Sequence, residues 1–129
     1  MNDISAELAT FFHKHDLPLT AETWRDPSFP SEAVYSAILM MNGSRNTVRE
    51  YIDGSKIIEA GFEIRVRIHA HSAKDRADAG VFFSCVSDAV KSSDESLKIR
   101  ENSGMTKSVV YDNGDEEFHA GYTVRFKEV

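Results

Sequence analysis

Three histidines offer the first candidate chemistry in this chain. His69-Ala-His71 places two imidazoles on one side of an alternating stretch, about 7 Å apart if that stretch is extended. His119 joins them if the last alternating stretch pairs alongside. With Glu63 or Asp75 as a fourth ligand or as a ligand's hydrogen-bond partner, the set could hold zinc and serve a small metal-dependent enzyme or ligand-binding domain. The competing reading is a polar strand face on which histidine is an ordinary occupant, and no metal-binding spacing motif favours zinc over it. His13-Lys-His15 ends an amphipathic segment, where positive charge suits the negative end of a helix dipole.

Charge supplies the second set. Arg65, Arg67, Arg125 and Lys127 form a basic stripe if their strands are neighbours. Three uses compete for it: an interface with acidic residues of another subunit, a solvated face, and a nucleic-acid surface. The interface is preferred, because the face lacks the interleaved aromatics that stack on bases. Asp112-Asn-Gly-Asp-Glu-Glu117 lacks the ligand spacing of a calcium-binding loop and reads as an acidic turn or docking loop between strands. Cys85 falls on an apolar helical stripe and reads as a structural thiol. There is no glycine-rich phosphate loop, no nucleophile elbow and no zinc-protease helix, so neither catalysis nor a cofactor is expected.

The elements that would position these groups are legible from periodicity. Phe62, Ile64, Val66, Ile68 and Ala70 alternate with Glu63, Arg65, Arg67, His69 and His71. Phe118, Ala120, Tyr122, Val124 and Phe126 alternate with His119, Gly121, Thr123, Arg125 and Lys127. A period of two sustained this long predicts two half-buried strands, each with one apolar and one ionic face. Ile4, Leu8, Phe11 and Phe12 predict a helix over 3–14, and Ser72-Ala-Lys-Asp75 opens a second of about 18 residues with Ala79, Phe82, Cys85, Val86, Ala89 and Val90 on its stripe. Ala33–Met41 predicts a buried strand ended by Asn42-Gly43-Ser44, with a new strand over 47–52 and a turn at Asp53-Gly54. Gly61 is expected as a bulge; 97–101 and 106–111 are expected as separate short strands. No internal repeat stands out. Residues 16–32 hold Pro18, Pro27 and Pro30 and form an irregular arm carrying Trp24 and Phe29. The expected fold is a two-layer α+β sandwich, a mainly antiparallel or mixed sheet with two helices on one face.

The 129 residues fit a single domain spanning 1–129. With 41% hydrophobic and 28% charged residues, the composition excludes a disordered chain, and no apolar run approaches a membrane span. The start Met-Asn-Asp-Ile-Ser-Ala-Glu has no signal-peptide pattern, so cytoplasmic synthesis is expected. One cysteine leaves no internal disulfide. A net charge of −6 disfavours a dedicated nucleic-acid binder.

One segment resembles a known family. Arg49-Glu-Tyr-Ile-Asp-Gly-Ser55, leading into the Phe62–His71 strand and preceded by a helix and a proline-bearing arm, is similar to the tail-terminator proteins of long-tailed bacteriophages, also called minor capsid or tail-completion proteins. The element order matches over the remainder. The resemblance implies a non-enzymatic virion protein, a homo-oligomeric and usually hexameric ring that caps the tail tube, meets the head connector and lets DNA pass without specific binding, with another phage neck or tail-tube component as the alternative. Such a ring needs two complementary patches per subunit. The expected pair is Arg65, Arg67 and Arg125 against Asp112, Asp115, Glu116 and Glu117, with Trp24 and Phe29 as aromatic anchors.

Overall fold

The computed structural model describes residues 4–17, 34–68, 73–94 and 96–128. Trp24, Phe29, His69 and His71 lie outside these residues, as do the arm over 18–33 and the side chain of Asp75. The chain runs α1 (Ile4–His13), β1 (Val34–Glu50), β2 (Lys56–Ile68), α2 (Ala73–Lys91), β3 (Leu97–Val110) and β4 (Glu116–Glu128). The four strands make one wholly antiparallel sheet in the order β1-β2-β4-β3. The α+β sandwich expected from the pattern is the observed fold.

The period-two stretches set its layers. Phe62, Ile64, Val66, Ala120, Tyr122 and Val124 are buried in one cluster with Leu8 and Phe12 of α1 and Phe82, Val86 and Ala89 of α2. Phe62 lies between the layers, edge-on to Phe12 at 6.4 Å and stacked on Tyr122 at 5.3 Å. Both helices therefore cover the even-numbered side chains of β2 and β4, and the odd-numbered ones face away. The first helix stops where Leu17 N–H reaches back to Phe12 O (2.9 Å) and Asp16, at φ 59°, takes the left-handed conformation. That double closure, with Leu17 buried, ends a helix that carries no glycine there.

Two expected strand breaks are corrected. Asn42-Gly43-Ser44 does not separate two strands; it bulges inside the single 17-residue β1. Between the pairs Met41–Phe62 and Arg45–Ala60, β1 advances four residues while β2 advances two. Gly61 is not the bulge but stays in register opposite Thr123, and a Cβ there would come within 2.6 Å of the Asn42 amide. Glycine on β2 thus makes room for the bulge on β1. Likewise the expected gap near 102–105 is a bulge inside β3, where Ser103 lies over Gly121 and accepts its N–H at 3.1 Å.

These paired features expose an internal repeat that the sequence pattern hides. A shift of 60 positions superimposes Tyr51, Gly54, Ala60, Gly61 and Arg65 on Tyr111, Gly114, Ala120, Gly121 and Arg125. The two hairpins close alike: Tyr51 N–H to Ser55 O and Tyr111 N–H to Asp115 O are both 2.8 Å, and Gly54 and Gly114 hold φ 88° and 90°. The β2–β4 register obeys the same relation. Phe62 pairs with Tyr122, its own counterpart, and pairs step outward symmetrically from there. The sheet is a pseudo-twofold arrangement of two β-hairpins.

Candidate functional site

The side chains left uncovered by helices are those of the odd-numbered positions on β2 and β4 and their cross-strand neighbours. The pseudo-twofold relation divides this face into two related ends. At the β3–β4 hairpin end, Glu117 is 3% exposed and faces Arg67 across the β2–β4 ladder. It accepts hydrogen bonds from Arg65 Nη1 (3.3 Å) and from the Tyr111 hydroxyl (3.1 Å), with Arg67 Nε at 3.7 Å. Arg65 Nε also donates to Glu63 at 2.5 Å, and the Arg67 guanidinium sits 4.8 Å from the centre of the Tyr111 ring. The bond to Glu63 raises the Arg65 pKa, and burial, then the bond to Glu117, raises that of Tyr111. Charge at this end is balanced within the chain.

At the β1–β2 hairpin end, Lys127 lies over the Tyr51 ring, 5.5 Å from its centre, much as Arg67 lies over Tyr111. The position related to Glu117 is Ile57, however, and no carboxylate stands there. Arg125 Nη2 donates to Glu59 at 2.8 Å, the one acidic residue in the lining of an open cleft of about 700 Å³. Register brings Arg49 beside Ile57, Lys98 beside Arg125 and Arg100 beside Thr123, so three further cations line that cleft. Lys98 makes a 3.4 Å contact to Ser93 O; among the described residues neither Arg49 nor Arg100 has an ion-pair partner.

The acidic run is redistributed rather than displayed as a patch. Only Asp112 of the four expected acidic residues is exposed; Asp115, Glu116 and Glu117 are 5%, 3% and 3% exposed. The cause is strand alternation. β4 begins at Glu116, so Glu117 turns to the uncovered face and Glu116 to the helix side, where Arg76 and Lys107 each approach it at 2.9 Å. The Lys107 bond, with that from Arg76, holds the Glu116 carboxyl below its ordinary pKa. Asp115 begins the hairpin return, with its backbone N–H on the Asn113 side chain at 3.0 Å. Arg65 and Arg67 consequently meet Glu63 and Glu117 of their own chain, and the two patches expected to face each other across subunits adjoin one another.

His119 is on the same uncovered face, opposite Arg65 on one side and Thr106 on the other. Its Nδ1 is buried without a hydrogen-bond partner among the described residues. Among those residues no three His, Cys, Asp or Glu side chains are grouped to hold a metal ion. Cys85 packs partly buried against the core, in keeping with a structural thiol.

Sequence reading missed Arg49, Lys98 and Arg100, because no local pattern marks them. Their grouping depends on β1 and β3 flanking a central pair, and only the repeat at Tyr51 and Tyr111 hinted at that order. Among the described residues no helix is long and apolar enough to cross a membrane. No protein-family model matches the chain, and no curated protein matches it, so its function has to be read from the geometry of this two-ended ionic face.

Proposed function

We propose that the chain is a non-catalytic assembly subunit that works through its uncovered sheet face, and that the assembly is the tail-terminator ring of a long-tailed bacteriophage. The observation that carries this reading is the sheet itself. Strands of 13 to 17 residues bury one face under helices and leave the other as an extended ionic surface with an open cleft. A small domain does not need strands of that length to close its own core. The large exposed apolar side chains add to it, since Val48, Met105, Val109 and Val110 sit on the edge strands β1 and β3, where a neighbour in a ring would meet them. The resemblance at Tyr51-Ile-Asp-Gly-Ser55 supplies the identity of the ring, and the net charge of −6 suits a lumen through which DNA slides.

The interface expected from sequence is revised in this reading. Arg65 and Arg67 are engaged within the chain, so contacts to neighbouring copies fall to the edge strands. The test is to mix purified protein with tail-tube polymer and image the tube ends by electron microscopy. Rings closing the ends are expected; tubes that stay uncapped at saturating protein sink the proposal.

A further inference from the structure

We infer that the cleft at the β1–β2 end binds an acidic peptide segment of a partner protein. Its carboxylates would lie on Arg49, Lys98 and Arg100 and its aliphatic side chains on Val48 and Ile57. The inference deepens the reading of the uncovered face as a docking surface, and rests on it. Three lines of observation lead there.

The first is charge. A chain of net −6 concentrates Arg49, Lys98, Arg100 and Arg125 around one opening, with Glu59 as the single carboxylate in the lining, already engaged by Arg125. At the related end Glu117 fills the equivalent place, and no such excess remains. The second is the mixed lining: Val48, 46% exposed, and Ile57 give apolar ground between the cations. A phosphate chain has no use for that ground, whereas a peptide alternating acidic and aliphatic side chains fits both parts.

The third is aromatic supply. Single-stranded nucleic acid stacks its bases on free rings. Of the two aromatic residues lining the cleft, Phe126 is 2% exposed and Tyr51 already carries Lys127 against its ring. A second copy of this chain is also a poor donor of the acidic segment. Its exposed carboxylates among the described residues are dispersed, with Glu7 on α1, Asp16 just after it, Glu50, Asp53 and Asp112 at the two hairpins, Asp88 and Asp94 on and after α2, and Glu101 on β3.

Fluorescence anisotropy on the full chain tests this with three probes: a short labelled peptide of alternating glutamate and leucine, its glutamine counterpart, and labelled oligothymidine. The acidic peptide should bind at low salt, release at high salt, and exceed both other probes. Arg49→Glu with Arg100→Glu should weaken it about tenfold or more, while Arg67→Gln at the related end should leave it unchanged. Arg100→Gln, a milder change on an exposed strand, should weaken it in the same direction and guards against loss of fold in the double variant. Four results overturn the inference: no binding of the acidic peptide, equal binding by the folded double variant, tighter binding of oligothymidine, or wild-type self-association that Arg49→Glu abolishes. Peptide binding without tube capping leaves this inference standing and removes the ring. Tube capping without peptide binding does the reverse.

Discussion

At the β3–β4 end of the uncovered face, Glu117 sits among Arg65, Arg67 and Tyr111; at the β1–β2 end, Ile57 occupies the related position and Arg49, Lys98, Arg100 and Arg125 surround open space. The two ends share a hairpin type, a cation resting on a tyrosine ring, a glycine beneath a bulge and an arginine at the same step of the strand. Glu117 in place of Ile57 at one end, and Arg49, Lys98 and Arg100 in place of Val109, Ile38 and Met40 at the other, separate a self-neutralised surface from a charged cleft. A single buried acid that accepts two hydrogen bonds and holds a further guanidinium at ion-pair distance fixes its cations in place and removes them from the pool available to a partner. Its absence leaves neighbouring cations repelling one another, a state that an anionic partner relieves.

The comparison presumes that both ends stand on one shared core, which gives the largest expected effect. Phe82→Ala removes a fully buried ring of α2 and should cost about 3–5 kcal/mol. Loss of both hairpins in one cooperative transition, followed by hydrogen exchange and a urea curve, is the expected outcome; hairpins that open separately break the premise.

Glu117→Ile removes from the closed end the carboxylate that the open end lacks. It should destabilise the fold by about 1–2 kcal/mol, at the lower end for a buried acid because Arg65 and Arg67 are each about one-third exposed and rehydrate. A lowered urea midpoint reads the loss. Stability unchanged by the substitution breaks the view that this carboxylate organises its end.

Acid sharpens the contrast from the helix side. Glu116 has its folded pKa drawn below the ordinary 4.5, chiefly by Lys107, so its stabilising contribution is complete above that value and is lost as pH falls through the lower folded value. Glu116→Gln should therefore be less stable than wild type near neutrality, and the gap should close on acidification below 4.5. Urea midpoints across that window read the difference directly.

Tyr122→Phe tests the pseudo-symmetry at its centre. Tyr122 is stacked on its counterpart Phe62, and its hydroxyl is buried without a hydrogen-bond partner among the described residues, with burial raising its pKa. Removing that oxygen should stabilise the protein by about 1 kcal/mol in thermal melts, since an unsatisfied buried polar group costs about that much or more. The smallest expected change in stability is that of Ile57→Glu, within about 0.5 kcal/mol for a substitution at the cleft surface. Its consequence lies in binding. The added carboxylate should quench the cleft and abolish capture of the acidic probe.

Much of the scaffold was open to inspection in the chain. Ile4, Leu8 and Phe12 marked the first helix, Phe82, Val86 and Ala89 the buried side of the second, and the alternation from Phe62 and Phe118 assigned each side chain of two strands to a face. Asn42-Gly43-Ser44 misled because residues that usually stop a strand also build a bulge, and a bulge is recognisable only from its partner, here Gly61. The repeat escaped for a related reason. Five positions match in type between 51–65 and 111–125; Phe62/Tyr122 and Ile64/Val124 are close swaps, but Ile52/Asp112, Lys56/Glu116 and Ile57/Glu117 change character and mask the relation. Whether the ring, the neck or another partner is met was open to resemblance alone.

Periodicity and composition by themselves determined that there are two apolar-faced strands, two helices to cover them and an ionic side left over. These follow from side-chain spacing along a single strand or helix, a local property of covalent geometry. Tertiary structure alone decided which charges cancel. Glu117 meets Arg67 because antiparallel register sets them opposite, and Arg49, Lys98 and Arg100 converge because two edge strands flank the β2–β4 pair. Electrostatic balance depends on distances between residues remote in the chain, and only the folded register sets those distances.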